Sequence, residues 1–145
     1  MEIKEYVLGF LFNVARTRVV LIEKQKPEDQ RGLLNGVGGK IEWKIDKFPS
    51  DAMTREFLEE TGVNSTQIIW TEYCELFGEE WNVLVFKAFA EDSVLDAVES
   101  ITNEKVAVYN INELGNYKTL SNLSWLIGMA LDTTKKEYAV TAVID

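Results

Sequence analysis

Histidine is absent from this chain, and cysteine occurs once, at Cys74. Without histidine there can be no Ser-His-Asp or Cys-His nucleophilic system, no imidazole-ligated zinc and no histidine general base. Acid–base work must then fall to carboxylates, lysine, tyrosine or metal-bound water. One cysteine excludes an intrachain disulfide and a thiolate metal cage. Cys74 is expected to be a small buried apolar residue. No apolar run reaches the ~18 residues of a transmembrane helix. The N-terminus, Met-Glu-Ile-Lys-Glu-Tyr, has neither the basic stretch nor the small-residue cleavage site of a secretory signal. These absences lead us to expect a soluble, cytoplasmic protein. Prolines are also scarce: Pro27 and Pro49 each stand before a change of pattern.

Acidic residues are plentiful. There are 24 against 15 basic ones, for a net charge of -9. Such a field repels nucleic acid polymers and anionic membranes, so neither is expected as a partner. It repels a nucleotide as well, unless cations bridge the two. The apolar share of 46% can fill one core, and 145 residues make one ordinary domain, taken as 1–145.

Residues 5–13 read as a strand, as does Arg18–Glu23, whose contiguous Val19, Val20, Leu21 and Ile22 suit burial on both faces. Residues 24–40 are polar and glycine-rich and read as a loop ending in Gly36, Gly38 and Gly39. Pro49-Ser50 announces a helix, with Ser50 as N-cap, running to about Thr61 and stopped at Gly62. Residues 67–77 and 81–90 read as strands joined by a turn at Gly78-Glu79-Glu80. Val106–Ile111 is a further strand, Asn122–Leu131 a second helix, and Tyr138–Ile144 a last weak strand. The order predicts a mixed sheet with helices on its faces, in the α/β or α+β range.

Glu56, Glu59 and Glu60 are spaced by three and four residues. On a helix this puts them on one face, about 5–6 Å apart at Cβ. Three such carboxylates repel one another, and a solvated acidic face is the plain alternative. Oxygen-rich anionic clusters suit Mg²⁺ or Mn²⁺, which then hold phosphate oxygens. Arg55, one turn before Glu59, can pin a carboxylate through a bidentate bond. The turn Gly36-Val37-Gly38-Gly39 lies just upstream, where backbone can approach a ligand closely. It is no P-loop, because Ile41 stands where Ser or Thr should follow the lysine, and the GxGxxG fingerprint fails at the same residue.

These residues resemble the Nudix hydrolase family, whose box is G-x5-E-x7-R-E-U-x-E-E-x-G-U with U apolar. Gly39 opens it, and Arg55-Glu56-Phe57-Leu58-Glu59-Glu60-Thr61-Gly62-Val63 matches its second half at every specified position. Gly38-Gly39-Lys40-Ile41-Glu42 is also similar to the family's first residues. The chain departs from the box in one respect. Gly39 and Arg55 are sixteen residues apart rather than fourteen, and the extra length falls in Trp43–Phe48. The box's first glutamate, usually paired near the arginine, has no direct counterpart. Asp46 or Lys47 stands in its place, and Glu42 or Asp46 are the acids that could substitute.

The resemblance implies a Nudix-type mixed β-sheet sandwiched between helices, and roles for particular residues. Glu59 and Glu60 would be direct metal ligands, and the Gly38 carbonyl would face the ion. Glu56 would be a further ligand or the base acting on the attacking water, with Arg55 orienting the carboxylates. A later acidic residue often joins the set; Glu104 is the candidate, with Glu99 behind it. The implied cofactor is Mg²⁺, with Mn²⁺ as an alternative. The implied reaction is hydrolysis of a nucleoside diphosphate linked to another group, by a monomer or homodimer.

A single short domain favours a nucleoside triphosphate, cleaved to the monophosphate and pyrophosphate, as in sanitation of an oxidised purine nucleotide. An ADP-ribose or dinucleotide pyrophosphatase is the enzyme alternative, and a Nudix-fold nucleotide-binding module without catalysis is the other. Asn122, with an N-cap role competing, and Asn35 are candidate base contacts. Phe10 or Phe12 could line the base pocket. Lys40 is a candidate substrate contact, and Lys24 and Arg31 could reach phosphates.

Overall fold

The computed structural model describes residues 2–132 and 140–143. Strand β1 (Lys4–Asn13) is the axis of a mixed eight-stranded sheet. One of its edges pairs in parallel with β6 (Trp81–Ala90) along its whole length, from Lys4 opposite Trp81 to Asn13 opposite Ala90. Beyond β6 lie antiparallel β5 (Thr71–Phe77) and then parallel β8 (Val140–Val143).

Two strands share the other edge of β1. Antiparallel β4 (Val37–Lys40) covers Tyr6 to Gly9, and β2 (Arg18–Glu23) meets it at Phe12 opposite Val19. β2 then pairs with β7 (Lys105–Asn110) along its full length, and at its end with β3 (Leu34–Asn35).

Alternation along β1 and β2 sends side chains to two separate cores. Val7, Leu11, Val20 and Ile22 face helix α1 (Pro49–Thr61), where they meet Ala52, Met53 and Phe57. Leu8, Phe10, Phe12, Val19 and Leu21 face helix α3 (Leu123–Leu131), where they meet Leu123, Leu126 and Ile127. The continuous apolar run of β2 is therefore explained by burial on both faces, as in a sheet covered by helices on each side. Cys74 is a buried free thiol in the second core. Among the described residues no helix is long and apolar enough to cross a membrane.

Several boundaries differ from the sequence reading. The supposed loop 24–40 contains β3 and β4. Val-Gly-Gly-Lys shows no alternation of side chains, so its pairing with β1 leaves no periodic signal. Helix α1 starts one residue before Ser50: Phe48 is the cap, Pro49 holds the first helical position, and the Asp51 carboxylate accepts the Phe48 N–H at 2.9 Å. Gly62 ends the helix with φ 76°, donating its N–H to the Leu58 carbonyl at 2.9 Å. β5 begins at Thr71 rather than 67, and β7 is shifted one residue earlier. A short helix, α2 (Asp92–Leu95), had no visible signal; it docks on Arg18, which pairs with Asp92 and Asp96. Of the expected strand Tyr138–Ile144, residues 138, 139 and 144 lie outside the described residues, and the rest is β8.

Phe57 is fully buried on α1, with its ring centroid 5.3 Å from that of Trp70. Phe57→Ala is expected to destabilise the protein by about 3–5 kcal/mol, as an unfilled aromatic cavity does. Urea unfolding measures this, and a loss below about 1 kcal/mol would show that α1 does not rest on this contact.

Candidate active site

Arg55 is the junction of the site. Its Nε donates to Asp46 Oδ1 at 3.1 Å and its Nη2 to Asp46 Oδ2 at 2.8 Å, a two-point fork. Nη2 also donates to the Lys40 carbonyl at 3.0 Å. Nη1 donates to Glu56 Oε1 at 3.0 Å and, at longer range, to both oxygens of Glu59 at 3.3 and 3.4 Å. One guanidinium thus ties the end of β4, the following loop and α1 together.

Asp46 lies in the longer stretch between the glycines and the helix, and it points inward, 4% exposed. The loop closes on itself around it: the Glu42 N–H donates to Asp46 Oδ2, and the Asp46 N–H to the Glu42 carbonyl. Of the residues considered for the missing box glutamate, Asp46 is the one that pairs with the arginine. Glu42 serves through its backbone. Trp43, Ile45 and Phe48 of this stretch stay on the outside. The Arg55 guanidinium, followed by the Glu42 amide, holds the Asp46 carboxyl below its ordinary range despite burial.

Glu56 is the deepest of the three glutamates, 9% exposed. Its carboxylate lies against the Cα of Gly39, where any Cβ would overlap it. Here glycine is required by close approach. Burial first, and the neighbouring Glu59 charge next, push the Glu56 carboxyl up to about 7, while Arg55 opposes the shift.

Glu59 is exposed and, among the described residues, held only by the long bonds to Arg55. Glu60 is half-buried, and its Oε2 accepts the Thr102 hydroxyl at 2.7 Å. Among the described residues no three acidic side chains stand close enough together to enclose an ion. Glu59 is turned to Arg55 and Glu60 to Thr102. The donor set itself, carboxylates beside a glycine-lined backbone, consists of hard oxygen ligands and fits a divalent cation of the Mg²⁺ class. Gly38 sits on β4 opposite Leu8, in the strand next to this set.

The loop after α2 approaches the same end of α1. The Glu99 N–H donates to the Thr61 carbonyl at 2.9 Å and the Ile101 N–H to the Glu60 carbonyl at 3.4 Å, satisfying helix-end acceptors. The Glu104 carboxylate accepts the Gln25 N–H at 2.8 Å, so this acid is engaged with the segment after β2. Glu99 is exposed.

Of the proposed base contacts, Asn35 lies on β3, beside residues 118–120, whose backbone bonds to Leu34 on both sides. Its Oδ1 is buried without a hydrogen-bond partner among the described residues. Asn122 is the N-cap residue of α3, as the competing reading has it, but its side chain makes no capping bond. Phe10 and Phe12 are fully buried in the α3-side core, with no free face for a base. β1 is apolar on both faces, a pattern that sequence alone does not separate from a lined pocket. Arg31 is an exposed partner of Glu28, and Lys40 is exposed beside Arg55. Lys24 is used through its backbone, in bonds to Gly32 and Leu33. Thr102 had no signal in the sequence, since only the folding back of the 99–104 loop places it.

This geometry agrees with the comparisons to known proteins. The chain matches the NUDIX domain over residues 4–125. It is similar in structure to a MutT protein from Bacillus halodurans, with TM-score 0.68, 20% identity, and coverage of 97% of this chain and 90% of that one. It is also similar to the NUDIX domain of Shewanella oneidensis NrtR complexed with ADP ribose (TM-score 0.71, 15% identity, 90% and 86% coverage). A Nudix hydrolase from Nitrosomonas europaea gives TM-score 0.71 at 15% identity, with 99% and 80% coverage. At such identities the likeness is one of fold. A comparison with curated proteins found no match. The chain belongs to the Nudix family. It is a Nudix pyrophosphohydrolase, a class that generally works with divalent metal ions.

The Asp46 carboxyl titrates below its unfolded value of 3.8. Its pairing with Arg55 therefore stabilises the fold above about pH 4 and is lost as pH falls through the lower, folded value. Asp46→Asn should cost about 2–3 kcal/mol at pH 7 and less at pH 3, below the unfolded value of the carboxyl. Chemical denaturation at both pH values tests this; an equal loss at both would remove charge as the cause.

Proposed function

We infer that the protein hydrolyses nucleoside triphosphates to the monophosphate and pyrophosphate with Mg²⁺, Mn²⁺ serving in its place, and that purine nucleotides, oxidised ones included, are its substrates. The observation that carries the base assignment is Asn35. A buried amide oxygen without a partner is costly, and a ligand N–H removes that cost. Asn122, two residues past the segment beside β3, carries a side chain not spent on capping. Two amides on neighbouring segments suit the mixed donors and acceptors of a purine edge better than a sugar.

Glu59 and Glu60, with Glu56 and the Gly38 carbonyl, would hold the cation, and Glu104 would join from the facing loop. A bound divalent cation supplies neutralisation of the diphosphate charge. Arg55 fixes Glu56 and, loosely, Glu59, so that their mutual repulsion does not scatter them. Glu56, buried against Gly39, would take the proton of the attacking water. Lys40, exposed at the end of β4, would meet a phosphate.

The alternative substrate is ADP-ribose, which the Shewanella oneidensis NrtR domain binds in its complex. Chromatographic identification of the products across a nucleotide panel with Mg²⁺ separates the two: a triphosphate gives the monophosphate and pyrophosphate, whereas ADP-ribose gives AMP and ribose 5-phosphate. Purine triphosphates are expected to be cleaved fastest, and rapid cleavage of ADP-ribose with no triphosphate turnover would overturn the reading. Nucleotide binding without any cleavage would instead support a binding module. Asn35→Ala is expected to cost about tenfold in kcat/KM for the preferred purine and to narrow its advantage over pyrimidines. Glu60→Gln should lower kcat by about 10²-fold or more with the fold intact, through loss of an ion ligand. A near-normal rate in that variant would take Glu60 out of the ligand set.

A further inference from the structure

We propose that Thr102 is a positioning residue that sets the conformation of Glu60 for ion binding. The proposal rests on reading Glu60 as a metal ligand. Glu60 is in the last turn of α1, where free carbonyls make the surroundings negative, and Glu56 and Glu59 repel it from the same face. Nothing on its own helix is found bonded to its carboxylate. The partner comes from across the gap: the Thr102 hydroxyl donates to Glu60 Oε2 at 2.7 Å.

The direction of this bond is fixed. A carboxylate can only accept, so the single hydroxyl hydrogen is turned to Glu60, while the Glu104 N–H donates to the same hydroxyl oxygen at 3.2 Å. The loop that carries Thr102 is anchored on both sides. Before it, the Glu99 and Ile101 amides bond to carbonyls of α1. The Ser100 hydroxyl accepts the Val106 N–H at 2.8 Å, closing the loop onto the start of β7. After it, Glu104 accepts the Gln25 amide. Thr102 is thereby a fixed point from which Glu60 is held by one oxygen. The other carboxylate oxygen, Oε1, would be the one offered to an ion. The same hydroxyl also accepts the backbone N–H of Glu104, which ties Glu60 to the loop.

The test is direct Mn²⁺ binding to the full chain, read from the electron paramagnetic resonance signal of free Mn²⁺. Thr102→Val removes the hydroxyl at nearly constant shape and is expected to weaken binding about tenfold, while Thr102→Ser stays within about twofold. Metal-free melting temperatures should be unchanged in both. If valine does not fold, Thr102→Ala takes its place. Wild-type Mn²⁺ affinity in the variant lacking the hydroxyl, with Glu60→Gln impaired, would overturn the proposal and leave the ligand assignment standing. Normal binding by Glu60→Gln would overturn both. A fall in metal-free melting temperature with unchanged affinity would make Thr102 a structural residue only and would also overturn the proposal.

Discussion

The ion pair between Arg55 and Asp46 is the contact on which the geometry of the site depends. Arg55 is the first residue of the carboxylate face, and by itself it is a long, mobile cation. Asp46 fixes it at two nitrogens, the Lys40 carbonyl fixes it at the end of β4, and only then is its remaining nitrogen aimed at Glu56 and Glu59. A buried carboxylate is costly unless paired and hydrogen-bonded. Asp46 meets both conditions, with the guanidinium on one side and the Glu42 amide on the other. The charge on the helix face is therefore organised from outside the helix.

The sheet supplies the platform for this arrangement. β1 pairs with β4 on one edge, which puts the glycines of β4 under α1, and its alternating side chains hold a helix on each face. The α1-side core of Met53, Phe57 and Trp70 sets how closely the helix approaches, and Gly39 lets that approach continue to the Glu56 carboxylate. Packing and chemistry share one surface. A change that lifts α1 also moves the acids away from β4.

Much of this was legible in the sequence because the signals were local. The spacing of Glu56, Glu59 and Glu60, the stop at Gly62 and the doubly buried run of β2 each depend on residues within a few positions. The unread parts depend on contacts distant in sequence or on backbone alone. β3 and β4 are strands because neighbouring strands need partners, not because Leu34–Asn35 or Val37–Lys40 have a periodic pattern. Phe10 and Phe12 look the same in sequence whether they line a core or a pocket; only the placement of α3 decides. The helix cap moved from Ser50 to Phe48 because a proline is well tolerated at the first helical position and Asp51 could reach back. Thr102 became visible only when the 99–104 loop met the end of α1.

The inward turn of Asp46 has a consequence for how chain length and site geometry are related. Its side chain makes the connection to Arg55, while the backbone around it is closed by its own bonds to Glu42. Residues between the glycine turn and the helix can then be gained on the outer side, as Trp43, Ile45 and Phe48 illustrate, without displacing the guanidinium. The guanidinium requires only that a carboxylate reach it, and a loop closed by its own bonds meets that requirement from a longer stretch of chain.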